Sequence, residues 1–154
     1  TIGRRQRQMC IRDRLKALAK DFDEIFVDTP PAYNFYTLSS LIAADRVLIP
    51  FDCDAFSRKA LYTLLENIQE AREDHNDDLQ VEGIVVNQYQ PRARLPQELV
   101  ASLEEEGLPI LANKLSSSVV MRESHEKATP LVNMQPRHKL TDEYRALFRE
   151  ISAG

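Results

Sequence analysis

Apolar residues along this chain fall into short runs closed by a polar residue or a proline, separated by longer stretches where leucine, isoleucine and alanine recur every three or four positions. The sharpest run is Asp23-Glu24-Ile25-Phe26-Val27-Asp28-Thr29-Pro30-Pro31. Ile25, Phe26 and Val27 suit a pleated surface covered on both faces, so the pattern predicts an inner strand of a parallel sheet over residues 24–28. Pro30 and Pro31 cannot donate to a ladder, and Pro30 steers Thr29 away from helical geometry. The strand must therefore stop there, with Asp28 at its carboxyl end.

The same grammar repeats downstream. Leu15, Leu18 and Ala19 follow helical spacing, which predicts the tail of a helix leading into the first strand. Leu38, Leu41 and Ile42 set one face of a helix over residues 33–44, and Arg46-Val47-Leu48-Ile49-Pro50-Phe51 reads as the next strand. Residues 52–56 form the loop that leaves it, and Ser57 suits the N-cap of a long helix whose apolar stripe is Leu61, Leu64, Leu65 and Ile68. Val81-Glu82-Gly83-Ile84-Val85-Val86-Asn87 gives another strand ending on a polar side chain. Pro96 fits the first turn of a helix through Leu99, Val100 and Leu103, stopped at Gly107. Residues 108–111 form a fourth strand candidate, residues 116–127 a short helix, and Pro130-Leu131-Val132 an extended piece. A last helix over residues 139–151 sets Leu140, Tyr144, Leu147, Phe148 and Ile151 on one face. Strands alternating with helices at this spacing predict an α/β fold, three layers deep around a mostly parallel sheet.

Composition narrows the class. A chain of 154 residues with 43% apolar and 29% charged residues has the profile of one globular domain. No window is apolar enough to span a bilayer and no start resembles a secretory signal, so the expected location is the cytoplasm. The two cysteines, Cys10 and Cys53, have neither disulfide-framework nor metal-ligand spacing. His75, His125 and His138 suggest no triad or metal set. Residues 1–14 hold five arginines against one aspartate, whereas the chain as a whole carries −4. That segment shows neither helical nor strand periodicity. Arg7-Gln8-Met9-Cys10-Ile11-Arg12-Asp13-Arg14 resembles peptides translated from sequencing-adapter bases, so residues 1–14 are expected to be a non-native or disordered basic leader. The native protein is expected to begin further upstream, and residues 15–154 to form the carboxyl-terminal part of an ATPase domain.

Candidate chemistry starts at Asp28. The carboxyl edge of a parallel sheet is where ligands of α/β folds bind. A carboxylate there suits the water shell of a Mg²⁺ ion lying between nucleotide phosphates, the task of a Walker B aspartate. Asp28 equally suits the opening of a Thr-Pro-Pro turn.

Asp28-Thr29-Pro30-Pro31, followed by Leu41-Ile42-Ala43-Ala44-Asp45-Arg46-Val47-Leu48-Ile49-Pro50 and Asp52-Cys53, resembles the ParA/MinD family of deviant-Walker ATPases, on the ParA side. The likeness continues through Glu82-Gly83-Ile84-Val85-Val86-Asn87 and Tyr89, and closes with Ala128, Pro130, Glu143-Tyr144 and Leu147. It implies a Mg²⁺-dependent ATPase that forms a homodimer in its ATP state, grips nonspecific DNA, associates with the nucleoid and answers to a ParB-like activating partner. By the same resemblance, Asp28 holds the Mg²⁺ water shell indirectly, Thr29 and Pro30 relay the nucleotide state, and Asn87 contacts the adenine edge. Arg92, Arg94 and Arg122 become DNA-contacting candidates, with Arg137-His138-Lys139 a weaker group, and a solvated surface cation is the competing reading for each. A membrane-lying role for the last helix is disfavoured, because its polar side mixes both charge signs.

One departure bears on activity. The Gly-Gly-x-Gly-Lys-Thr loop that cradles phosphates in the family has no counterpart here, since Gly3 is the only glycine before Gly83. The family's first catalytic aspartate region is likewise missing. This chain by itself is therefore expected neither to bind ATP tightly nor to hydrolyse it. A nonenzymatic adaptor on a degenerate P-loop fold, and a sister enzyme such as a cofactor-biosynthetic ligase, stand as alternatives.

Overall fold

The computed structural model describes residues 4–30, 33–53 and 57–153. Pro31 of the Thr-Pro-Pro motif, residues 1–3 of the basic leader and residues 54–56 of the loop after the second predicted strand lie outside the described residues. In chain order the elements are α1 (Arg4–Leu18), α2 (Phe35–Ala43), β1 (Arg46–Asp52), α3 (Ser57–Asp74), β2 (Gln80–Asn87), α4 (Arg94–Glu105), α5 (Val119–Glu126), α6 (Leu131–Met134) and α7 (Lys139–Ser152). Two compact units result, one from residues 1–47 and 59–80, the other from residues 48–58 and 81–154.

In the first unit, α1 packs on α2. Helix α1 begins at Arg4 and runs through the expected boundary at residues 14 and 15. Helix α2 starts where Asn34 accepts hydrogen bonds from the backbone N–H groups of Tyr36 at 2.9 Å and Thr37 at 3.2 Å. These satisfy two of the donors that a helix start leaves open. Its far end is closed by Asn76, whose buried amide donates to the carbonyls of Leu41 at 2.9 Å and Ala44 at 2.8 Å. Leu61, Ile68 and Ala71 of α3 are buried, as the helical stripe predicts.

The strand predicted over residues 24–28 does not form. Residues 24–30 carry no regular secondary structure, and Ile25, Phe26 and Val27 are 39%, 75% and 48% exposed. A β conformation is stabilised by a neighbouring ladder, and no described strand runs beside this segment. The apolar run has strand composition without a partner to hydrogen-bond.

In the second unit, β1 and β2 pair side by side, and the α3 connection between them is the crossover a parallel pair requires. Along β1 burial alternates, with Ile49 and Phe51 inside, so one face is covered. By contrast, β2 buries Gly83, Ile84, Val85 and Val86 in succession, as an inner strand must. Its other edge is taken by residues 109–117, which meet it through parallel bridges at Ile84 with Ile110 and at Tyr89 with Ser116. The predicted fourth strand is thus an extended segment that bridges without becoming a regular strand.

The core of this unit gathers Val85, Leu115, Leu131, Leu140 and Leu147, with Met121, Met134, Tyr144 and Ile151 packed against it. Phe148, expected on the buried face of the last helix, is 60% exposed. It falls one position past Leu147, beyond the stripe that Leu140, Tyr144, Leu147 and Ile151 already fill. The piece expected to be extended at residues 130–132 is the start of the short helix α6, which Pro130 enters with its fixed φ.

Gly83 marks the closest approach. A Cβ there would stand 2.5 Å from Cδ2 and 2.6 Å from Cγ of Leu111, so the facing segment would have to move. Gly83→Ala is expected to destabilise the chain by about 1–3 kcal/mol, measured as a lower denaturant midpoint. The exposed run at Phe22, Ile25, Phe26 and Val27 leads to a second expectation, that the chain self-associates at micromolar concentration. Sedimentation velocity should find smaller species for Phe26→Glu; a monodisperse monomer in the parent chain would contradict this.

Candidate nucleotide-base site at the sheet edge

Strands β1 and β2 end on the polar residues Asp52 and Asn87, at the same edge of the sheet. There the Asn87 amide donates from Nδ2 to Asp52 Oδ1 at 2.9 Å, and the Gln88 amide donates from Nε2 to Oδ2 of the same carboxylate at 3.2 Å. One acceptor-only group thus orients two amides. Gln88 stands at φ 50°, in the left-handed region, where a non-glycine side chain is rare and strain tends to mark function. The backbone then resumes its pairing, with Tyr89 N–H donating to Leu115 C=O at 2.8 Å. Lys114 places its ammonium 5.9 Å from the Tyr89 ring centroid.

Two glutamates of α7, seven residues apart, hold the segment that flanks β2. Glu150 accepts from the backbone N–H groups of Ala112 at 2.7 Å and Asn113 at 3.0 Å, and from Asn113 Nδ2 at 2.6 Å. Glu143 accepts from Ser116 N–H and Oγ, each at 2.7 Å, and pairs with Lys139 at 3.2 Å. Burial pushes both carboxyls up, yet the hydrogen bonds outweigh it and hold each below the ordinary glutamate range.

The sequence-predicted site residues divide between the units. Asp28, Thr29 and Pro30 belong to the first, on an exposed segment without regular secondary structure. Asn87, Arg92, Arg94 and Arg122 belong to the second. Arg92 is exposed in the turn before α4, and Arg122 is exposed on α5. Arg94, the first residue of α4, is tied to Glu98 at 2.6 Å. Of the weaker cationic group, Lys139 is engaged by Glu143, while Arg137 and His138 line a shallow groove of about 350 Å³ with Gln135 and Pro136. Asp52 is the residue that sequence reasoning missed. Two parallel strands that both end on a polar side chain were the available signal.

The fit to a nucleotide is partial. Asn87 and Gln88 offer the donors and acceptors that a base edge needs, whereas nothing in the sequence supplies a glycine-rich triphosphate cradle. No group of three or more His, Cys, Asp or Glu side chains among the described residues forms a metal cage. Among the described residues, no helix is long and apolar enough to cross a membrane.

Residues 2–81 match the family model described as an AAA domain, and the chain belongs to that family. Its relatives place it in the ParA/MinD family of P-loop ATPases. It is 28% identical to the chromosome partitioning protein ParA of Myxococcus xanthus over 97% of this chain and 53% of that protein. Its fold is similar to that of McdA from Cyanothece in complex with ATP, with a TM-score of 0.80 at 19% identity, covering 96% of this chain and 58% of that one. It is also similar to cobyrinic acid a,c-diamide synthase from Mycobacterium smegmatis with bound ATP analog and magnesium, with a TM-score of 0.67 at 26% identity, covering 73% and 46%. The chain spans about half the length of the relatives it matches.

The α7 carboxylates generate a pH expectation. A carboxyl lowered on folding stabilises the native state above its unfolded value, and that contribution is lost as pH falls through the native one. Stability should therefore fall on acidification below the ordinary glutamate value, and fall less in Glu143→Gln and Glu150→Gln. At neutral pH each of those variants should already cost about 1–3 kcal/mol, read from urea midpoints across the series.

Proposed function

We propose that this chain is the carboxyl-terminal part of a ParA-type partition ATPase, which binds ATP with Mg²⁺, dimerises in that state and then grips DNA without regard to sequence. The observation that carries the reading is the similarity to a chromosome partitioning protein along 97% of this chain. The amide-bearing edge at Asn87 supports it, because an asparagine amide matches the donor and acceptor of adenine. In this reading Asp28 orients the magnesium's water shell, while Thr29 and Pro30 carry the nucleotide state along the chain. ATP, Mg²⁺, a ParB-like activating partner and nucleoid-associated residence in the cytoplasm all belong to the complete protein.

Arg92 and Arg122 support the DNA assignment, as exposed cations that form no ion pair among the described residues. Arg94 is the weaker candidate, since phosphate has to displace Glu98. Their contacts would go to phosphate, so affinity must fall steeply with salt. The similarity to a diamide synthase keeps a cofactor-biosynthetic enzyme as the second reading.

The test uses the complete gene product containing this chain, with ATP, Mg²⁺ and unrelated DNA duplexes. Asp28→Ala is expected to abolish ATP-dependent DNA binding. Arg92→Ala should weaken binding equally across duplexes and reduce the slope of log affinity against log salt by about 1. Unchanged ATP-dependent DNA assembly in Asp28→Ala would overturn the proposal. Conversion of cobyrinic acid to its a,c-diamide, without DNA binding, would establish the second reading.

A further inference from the structure

We propose that Asp52 is a positioning residue that sets purine specificity, by fixing which end of the Asn87 amide faces a bound base. The inference rests on the reading of Asn87 as a base contact and goes beyond it, to the residue that decides which base is accepted.

An asparagine amide can rotate by half a turn and exchange its oxygen for its nitrogen at almost no cost in shape. A free Asn87 could therefore meet a purine either way round. Asp52 removes that choice, because an ionised carboxylate only accepts, and an amide oxygen turned toward it would set acceptor against acceptor. With Nδ2 at 2.9 Å from Oδ1, one amide hydrogen is consumed. The second hydrogen and the whole of Oδ1 are left for a ligand. Gln88, held through Nε2 on the other carboxylate oxygen at 3.2 Å, keeps Asp52 from swinging away to solvent.

A remaining N–H beside a carbonyl oxygen is complementary to one purine edge. On the Watson–Crick edge adenine presents N1 as acceptor and its N6 amine as donor, whereas guanine presents N1–H as donor and O6 as acceptor, the reversed pattern. An Asn87 amide locked in this orientation satisfies both groups of adenine, and against guanine it sets its N–H on N1–H and its oxygen on O6. A released amide could turn and satisfy guanine equally, with its nitrogen on O6 and its oxygen on N1–H. Discrimination is thus built into the strand end by a residue that does not itself touch the base.

The test uses the 154-residue chain as it stands, with free nucleosides as probes, so that the triphosphate cradle plays no part. Adenosine and guanosine are titrated to millimolar concentration while the side-chain amide signals of Asn87 are followed by ¹H–¹⁵N spectroscopy. The parent chain is expected to favour adenosine by roughly tenfold, as befits a bidentate contact at a solvent-accessible site. Asp52→Ala should bring the ratio to about one and shift the Asn87 amide proton that Asp52 accepts upfield, while retaining adenosine binding. Asp52→Asn, whose amide oxygen can still accept from Nδ2, should recover part of the preference, and the backbone spectrum reports the fold of each variant. Adenosine preference in the parent that persists undiminished in both folded variants would overturn the role of Asp52 and leave the base contact standing. Failure of both nucleosides to perturb Asn87 in the parent would overturn the base contact and this inference together.

Discussion

Strand β2 is covered on both faces, so its backbone groups can find partners only sideways. That constraint organises the second unit. On one side β1 supplies the ladder; on the other, residues 109–117 run alongside without regular strand geometry. A segment so loosely paired needs holding from behind, and Glu143 and Glu150 do this with five hydrogen bonds to the segment. The positions of Asn87 and Tyr89 at the end of β2 are set by how firmly this third segment is seated.

The first unit shows the same rule in the negative. Residues 24–28 have the composition of an inner strand, yet a backbone with no neighbour gains nothing from the ladder and leaves its side chains in water. Apolar composition reports what a segment can bury, and only pairing decides whether it does.

Much of the fold was legible in the sequence because helical stripes and proline stops are local signals. Helices α2, α3, α4, α5 and α7, strands β1 and β2, and the Gly107 stop at φ 79° lie close to where periodicity puts them. What failed was non-local. The missing partner of residues 24–28 and the surplus of apolar residues on α7, which leaves Phe148 outside, depend on what stands opposite. So does the bond from Asn87 to Asp52, residues 35 apart in the chain and adjacent only through strand pairing. For the candidate site, the sequence pointed to the sheet's carboxyl edge and to Asn87, but a lone aspartate closing a strand looks like any other turn residue. Asp28 was read from its place after an apolar run and then by resemblance, the arginines by resemblance alone, and all of them lie exposed.

The grip of α7 on residues 112–116 also has a temporal side. Ala112 and the glutamate that receives its N–H are 38 residues apart, and that glutamate lies in the last helix. During synthesis the third segment emerges before the carboxylates that fasten it, which follow it by 27 residues at Ser116 and 38 at Ala112. Closure of the sheet on that side is thus a late event, dominated by loop closure across the intervening helices.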